Sequence, residues 1–361
     1  MDNATARALC AVNKRFYQRC SASFSATRTA PWEGWRRCLE WARKAQPADG
    51  RAGADADAEG ARAGGRAKAG VARGGEDAGA KAALENEDAR AQAARGDANE
   101  RSGLQGRQGG AGAREDARAR QGGTDAKTLR PEHARPALSV LDLACGNLRF
   151  EAFLAEELAD TDLTLHTADD CDALVAGAPW RPNPAEEAAF GNRTAGSLRW
   201  RHQSLDVLAA LDAEERGGEA ALAAALRVPR CDLAVSFGFL HHIPLPRWRQ
   251  EVLAALAAKV RPGGFVIVSL WRFLENPLLA RKAEATHEHG LRDLGLPPLD
   301  AGDRLLGWKD EPGAYRYCHS FSDEEIDALA ASVAGTAKEA ARFRADGRDG
   351  ALNSYLVLRV E

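Results

Sequence analysis

Several features are missing from this sequence, and each absence removes a class of explanation. No apolar run is long enough to cross a membrane, and no signal-peptide pattern follows Met1. Neither sign of charge is in excess: 49 Lys and Arg against 52 Asp and Glu give a net charge of -3, so any nucleic-acid surface must be a local patch. The seven cysteines, Cys10, Cys20, Cys38, Cys145, Cys171, Cys231 and Cys318, contain no C-x-x-C pair, and several lie inside apolar runs. That distribution suits reduced, buried thiols in a cytosol better than disulfides or zinc. The phosphate-cradling pattern G-x-G-x-x-G is also missing, which argues against a dinucleotide site. The expectation is a cytoplasmic protein with no membrane partner and no metal.

Residues 47–133 lack a different ingredient. Ala, Gly, Arg, Asp and Glu dominate them; Val71, Leu84, Leu104 and Leu129 are their only branched aliphatics, and they hold no Phe, Trp or Tyr. Such a stretch cannot bury enough apolar surface to offset the entropy of ordering it, so a disordered linker is expected there. The rest of the 361-residue chain is richer, and at 45% hydrophobic overall it can build a core. Residues 1–46 read as a small helical segment: Leu9, Val12, Phe16 and Cys20 recur at helical spacing, Phe24–Arg28 is a break, and Pro31 occupies the first position of a second helix carrying Trp32, Trp35 and Leu39. Its aromatics imply docking onto the domain of residues 134–361, as a cap on the core or a lid over a pocket.

From Pro136 onward, strand and helix patterns alternate. Strands are expected at Leu138–Leu143, around Leu163–Thr167, around Leu198–His202, at Cys231–Phe237, at Phe265–Trp271 and at Ser354–Val360. Helices are expected at Leu148–Leu158, Trp248–Val260 and Asp323–Ser332, with Pro262-Gly263-Gly264 as the turn before the fifth strand. This alternation predicts an α/β fold with a doubly wound, mostly parallel sheet. Its organising stretch is Ser139–Phe150. There a buried strand ends in Asp142, the small residues Ala144, Cys145 and Gly146 let backbone approach a ligand, and a helix follows whose N–H groups face a nucleotide-like molecule.

These residues resemble motif I of class I S-adenosylmethionine-dependent methyltransferases, an apolar strand and an acid followed by G-x-G-x-G. Here Gly146 is the central glycine, and Ala144 and Leu148 replace its flanking partners. Asp169 ends the second strand, where an acid accepts bonds from ribose hydroxyls, although Asp169 or the adjacent Asp170 could equally cap a helix at Asp172–Val175. Asp206 follows the third strand, at the position that lies by the adenine amine in that family, and it too could be a helix cap. Cys231-Asp232-Leu233-Ala234-Val235-Ser236-Phe237 and the His241-His242 pair resemble motif IV, which puts Phe237 beside the cofactor. Read as an extended segment, the two histidines point apart, so a metal site is not expected. The resemblance implies a Rossmann-like class I methyltransferase with S-adenosyl-L-methionine as cofactor, bound by Asp142, Ala144, Gly146, Asp169, Asp170, Asp206 and Phe237.

The acceptor is addressed by further absences. The N/D-P-P-Y/F turn of many amine methyltransferases is replaced by Ser236-Phe237-Gly238-Phe239, and no Pro-Cys pair exists for methylation of cytosine C5. A carboxylate acceptor needs less, because it is already an anion at neutral pH. Two stretches, Phe24–Trp32 and Gly302–Ser322, resemble the F-S-x-T-R-x-x-x-W, G-D-x-L-x-x-W and R-Y-x-H-x-F segments of the tRNA wobble-uridine carboxymethyl methyltransferase family and of the methyltransferase domain fused to an AlkB-type oxygenase in animals. The resemblance implies a tRNA partner, a small activator subunit in eukaryotic members, and a substrate side holding Arg28, Trp308, Lys309, Arg316 and His319. Arg316 and Lys309 could clamp a carboxylate or phosphate, with His241 and His319 lining the site, while Trp308 and Tyr317 could stack a base. The bland reading makes those aromatics core residues and Arg316 an ion-pair partner. Competing functions are methylation of a small carboxylate or hydroxyl metabolite, and non-catalytic RNA binding by a relict cofactor fold.

Joining residues near 47 and 133 through a short flexible connector should leave the thermal midpoint and cofactor affinity nearly unchanged. A large loss of either would show that this segment is ordered in the native state.

Overall fold

The computed structural model describes residues 1–46, 135–182, 196–215, 221–309 and 311–361; the linker expected at 47–133 lies outside them. A seven-stranded sheet has the order β3-β2-β1-β4-β5-β9-β8, formed by β1 (Ala137–Leu143), β2 (Asp162–Asp169), β3 (Leu198–Ser204), β4 (Cys231–Ser236), β5 (Val260–Trp271), β8 (Ala337–Ala345) and β9 (Asn353–Val360). Strands β1 to β5 pair in parallel, and β9 runs antiparallel between β5 and β8. This is the doubly wound, Rossmann-like sheet expected from the pattern. No described helix is long and apolar enough to cross a membrane.

Alternation along β1 explains the two-sided core. Leu138 and Val140 point to one face, where α2 (Glu33–Ala45) and α3 (Arg149–Glu157) supply Trp35, Leu39, Phe150 and Phe153. Leu141 and Leu143 point to the other, where α5 (Val207–Glu215), α7 (Pro246–Ala258) and α9 (Asp323–Ser332) supply Leu211, Val252 and Ile326. A strand covered on both faces must be apolar at successive positions, which is why β1 and β4 read as near-continuous runs. The exception is Asp232 on β4, which is fully buried. Its Oδ2 accepts from Ser139 N at 2.6 Å and Ser139 Oγ at 2.7 Å, and its Oδ1 pairs with Arg261. The acid thereby stitches β4 to β1.

Among the described residues the remaining α-helices are α4 (Asp172–Ala176) and α6 (Ala221–Ala225), besides α1 (Asn3–Ser25) and α8 (Pro277–Leu294), which pack on a separate two-stranded hairpin, β6 (Asp303–Gly307) with β7 (Tyr315–His319). Asp2 caps α1 through Thr5 N at 2.8 Å, and Leu9, Val12, Phe16 and Cys20 bury against Leu305, Tyr317, Trp308 and Ala314.

Three expectations are corrected. Pro31 lies outside α2, which starts at Glu33 with Trp32 as its cap. Pro262-Gly263-Gly264 is no separate turn but an irregularity within β5, where the pairing register shifts between Cys231 and Leu233. A side chain on Gly264 would lie 2.4 Å from Asp232 O, so only glycine fits so close to β4. The segment Leu240–His242 is a turn of 3-10 helix, not extended chain, and it brings the His241 and His242 rings to 4.1 Å.

Helix α2 is pinned to the β8–β9 end of the sheet by the buried Asp346. Its carboxylate accepts from Gly34 N at 2.8 Å, Asn353 Nδ2 at 2.8 Å and Tyr355 Oη at 2.6 Å. Any side chain at Gly34 would meet the Tyr355 ring at 2.2–2.4 Å. Gly34→Val should therefore cost about 1–3 kcal/mol of unfolding free energy in urea, the range for overpacked cores. Gly335→Ala, which meets nothing within 4 Å, should change it little.

Candidate functional site

The carboxyl ends of β1, β2 and β4 open into a cavity of about 680 Å³, walled by α1, the loop after it, and the turns that follow β3 and β4. A cavity at the carboxyl ends of parallel strands is where this class of sheet binds ligands. Its volume is in the range of small-molecule sites.

One group of lining residues is acidic. Asp142, Asp169, Asp170 and Asp206 come from β1, β2 and the turn after β3. Asp169 ties two turns together: Oδ2 accepts from Gly146 N and Oδ1 from Cys171 N, both at 2.8 Å. Burial raises its pKa, and those two bonds act in the opposite direction. Asp170 is raised to about 6 by desolvation and by Asp169 and Asp206. Asp206 does cap a helix, through Ala209 N at 2.9 Å, and it also pairs with Lys14 of α1 at 2.6 Å across the cavity rim. The turn between β1 and α3 is left-handed at Ala144, Gly146 and Leu148 (φ 63°, 57° and 58°). The two residues that replace the motif's flanking glycines therefore adopt glycine-like backbone, a strained state for a non-glycine residue.

A second group is cationic. Arg28, Arg149 and Arg316 line the same cavity. Arg149 is lowered to about 9, first by burial and then by repulsion from Arg28. Arg316 leaves β7 into a box of Phe16, Phe24, Trp271 and Trp308, whose ring centres lie 5.5–5.8 Å from its guanidinium carbon. Aromatic faces stabilise the cation and exclude water, which strengthens its pull on an anion.

The histidines stand beside Arg316. His242 Nδ1 meets Tyr317 O at 2.9 Å, and a carbonyl can only accept, so Nδ1 carries the proton. Nε2 is left to accept from Tyr17 Oη at 2.8 Å. Burial pushes His242 down to about 3 and His241 well below 6.5, with Arg316 lowering both further. Among the described residues, His241, His242 and Cys318 bring potential ligand atoms within 4.8 Å of one another. They do not fit a metal ion: both ring nitrogens of His242 are committed, and the nearby guanidinium repels a cation.

Ten of the residues singled out from sequence line this cavity: Arg28, Asp142, Ala144, Gly146, Asp169, Asp170, Asp206, Phe237, His241 and Arg316. Four do not, and their assignments are corrected. Trp308 is 1% exposed, with its indole N–H on Ser23 Oγ at 3.0 Å. Tyr317 is fully buried, its hydroxyl donating to Asp303 at 2.6 Å. Neither presents a face to a base. Lys309 donates to Ser23 O at 3.3 Å and folds back over Trp308. His319 is buried between Asp303 Oδ1 at 2.7 Å and Glu325 Oε1 at 2.8 Å, a structural link from the hairpin to α9. Sequence reasoning also missed Asn13, Tyr17 and Arg149, whereas Trp32, read as part of a cap or lid, does line the cavity. Asn13 binds Tyr317 N at 2.7 Å and Tyr317 O at 3.1 Å. The signal for it was a polar residue on the buried stripe of α1.

No protein-family model matches this sequence, and no curated protein matches it significantly. Solved structures resemble 62% of the chain. A Methanosarcina mazei protein described as a SAM-dependent methyltransferase is 14% identical over 92% of its own length, with a TM-score of 0.41. The 1,6-didemethyltoxoflavin-N1-methyltransferase of Burkholderia thailandensis is 20% identical over 71% of its length, with a TM-score of 0.32. Human N-acetylserotonin methyltransferase is 12% identical over 47% of its length, with a TM-score of 0.33. At these values the likeness is one of fold alone.

A histidine whose folded pKa is depressed contributes stability that is complete above its unfolded value near 6.5 and is lost as pH falls toward the folded value. Between about pH 6 and 4 the wild type should therefore lose about 1.4 kcal/mol of unfolding free energy per pH unit more than His242→Asn does, measured by urea denaturation at each pH. Equal slopes would mean that His242 is not held neutral.

Proposed function

We propose that this chain is an S-adenosylmethionine-dependent O-methyltransferase whose acceptor is a carboxylate, and that the carboxylate belongs to a carboxymethyl group on a tRNA wobble uridine. One observation carries the reading: a cavity divided between carboxylates from the strand ends and arginines beside neutral histidines.

The residues of the acidic group suit the cofactor. Gly146 keeps the β1–α3 turn free of side-chain bulk, Asp169 and Asp170 offer acceptors for ribose hydroxyls, Asp206 lies where an adenine edge would reach, and Phe237 supplies an apolar wall. Bound there, the cofactor supplies an electrophilic methyl carbon on a sulfonium sulfur. Arg316 and Arg28 then hold the acceptor carboxylate and orient one oxygen; proximity and alignment supply the rate. A hydroxyl or amine acceptor would need a base near neutrality. His241 and His242 do not serve, because burial makes both imidazoles too weak as bases to take a proton at ordinary pH. The tRNA assignment is supported by the resemblance of Phe24–Trp32 and Gly302–Ser322, which deliver Arg28, Trp32 and Arg316 to the cavity.

The test incubates the purified chain with S-adenosylmethionine and tRNA, followed by nucleoside mass spectrometry. A new methyl group removed by mild alkali is an ester; an alkali-stable methyl group would overturn the carboxylate assignment, and transfer to small acids but not to tRNA would overturn the tRNA one. With cofactor saturating, transfer should be flat from about pH 6 to 9, since a carboxylate of pKa near 4 is ionised throughout. Arg316→Ala should slow transfer about 10- to 100-fold, the loss of one charge-assisted contact, with S-adenosylhomocysteine affinity unchanged.

A further inference from the structure

The buried groups left unused by this reading gather beneath the β1–α3 turn. Glu151 lies in the first turn of α3 and is 1% exposed, and Asp142 on β1 is 4% exposed. A glutamate buried among apolar neighbours is costly as an anion. Asp142 Oδ1 and both Glu151 carboxyl oxygens are shielded from solvent; Glu151's own backbone N–H acts on its carboxylate, and among the described residues no other residue donates to these oxygens. The two carboxyl groups meet each other instead. Two carboxylates have no donor between them, so the contact is a hydrogen bond only when the pair holds a proton.

The surroundings add no positive charge. Asp169 of β2 acts on both acids and Cys145 of the turn lies beside them, with His202 of β3 standing behind Asp169. Asp142 lines the cavity and Glu151 does not, so any effect of Glu151 on a ligand passes through Asp142.

Resting on the cofactor reading above, we propose that Glu151 is a positioning residue for the cofactor: it shares one proton with Asp142, and loss of that proton on binding gives the pair a second negative charge facing the cationic methionine end of the ligand. The balance is simple. One O–H bond breaks, the proton goes to solvent, the pair passes from one negative charge to two, and the incoming ammonium offsets the difference. Desolvation raises Glu151 to about 7 and Asp142 well above its usual range, and the ionised Glu151 raises Asp142 further, so the pair still holds a proton at neutral pH. Asp170, at about 6 on the same wall, titrates nearby and must be separated from it.

Calorimetric titration with S-adenosylhomocysteine, in buffers of different ionisation enthalpy, makes the distinction. The wild type should release a proton on binding at neutral pH, and its affinity should rise with pH, by up to about tenfold per unit, while the free pair still holds a proton. Glu151→Gln keeps a hydrogen bond to Asp142 while fixing the pair at a single negative charge, and it leaves Asp170 untouched. That variant should release no proton from this pair and lack the wild type's gain in affinity above about pH 7. Tight wild-type binding with no proton release overturns the proposal and spares the cofactor reading. A Glu151→Gln variant that keeps the wild-type pH profile assigns the proton to Asp170 and also overturns it. No binding at any pH overturns both. The wild-type proton count does not depend on the variant folding.

Discussion

The cavity depends on one carboxylate. Asp169 ends β2 and spans to the next strand's turn, accepting from Gly146 N and from Cys171 N at 2.8 Å each. Its burial makes the charge costly to leave unsatisfied, so the two backbone donors are held where the carboxylate needs them. Those donors belong to the β1–α3 and β2–α4 turns, and their separation sets the floor of the cavity. The left-handed backbone at Ala144 and Leu148 is tolerated because strand pairing on one side and this carboxylate on the other leave the turn no alternative path.

The N-terminal helix completes the enclosure by a different means. Helix α1 is remote in sequence from the sheet yet contributes Asn13, Lys14 and Tyr17 to the cavity wall. Asn13 replaces a strand-like pairing with side-chain bonds to both backbone groups of Tyr317. A buried amide satisfied this fully is specific as well as stabilising, because a shift of one residue along the helix would take its acceptor away from Tyr317 N. Tyr17 holds His242 in the tautomer that the Tyr317 carbonyl demands. Helix, hairpin and histidine turn are thus one hydrogen-bonded unit.

Charge separation within the cavity has the same origin. The acids sit at strand ends, where the backbone N–H groups of turns can satisfy them, and the arginines come from segments outside the parallel strands, where aromatic rings receive them.

Much of this was legible in the chain. Period-two and period-3.6 patterns located β1, β4 and α9 almost to the residue, because a two-sided core demands continuous apolar strands and the Ser322–Glu325 capping box marks the start of α9. Acids at strand ends were legible for the same reason. What failed failed on local grounds. Helix α8 carries clear ends, Asn276-Pro277 and Gly295, but its face toward the hairpin is made of small residues such as Ala283 and Gly290, and small residues leave no hydrophobic period. Edge strand β8 alternates alanine with charge and reads as loop or helix. Trp308, Tyr317, Lys309 and His319 were placed beside a substrate with Arg316 because the Gly302–Ser322 stretch resembles a family; on β7 adjacent side chains face opposite ways, so Tyr317 turns from the cavity that Arg316 lines, and Trp308 and Lys309 bond to Ser23 of α1 instead. The sequence by itself determined six strands of the sheet, their order along the chain and the acids at its carboxyl edge, since these follow from short-range periodicity. Only the tertiary structure decided which polar residues share the cavity and which are buried links, since that depends on the docking of α1 and the hairpin across most of the chain's length.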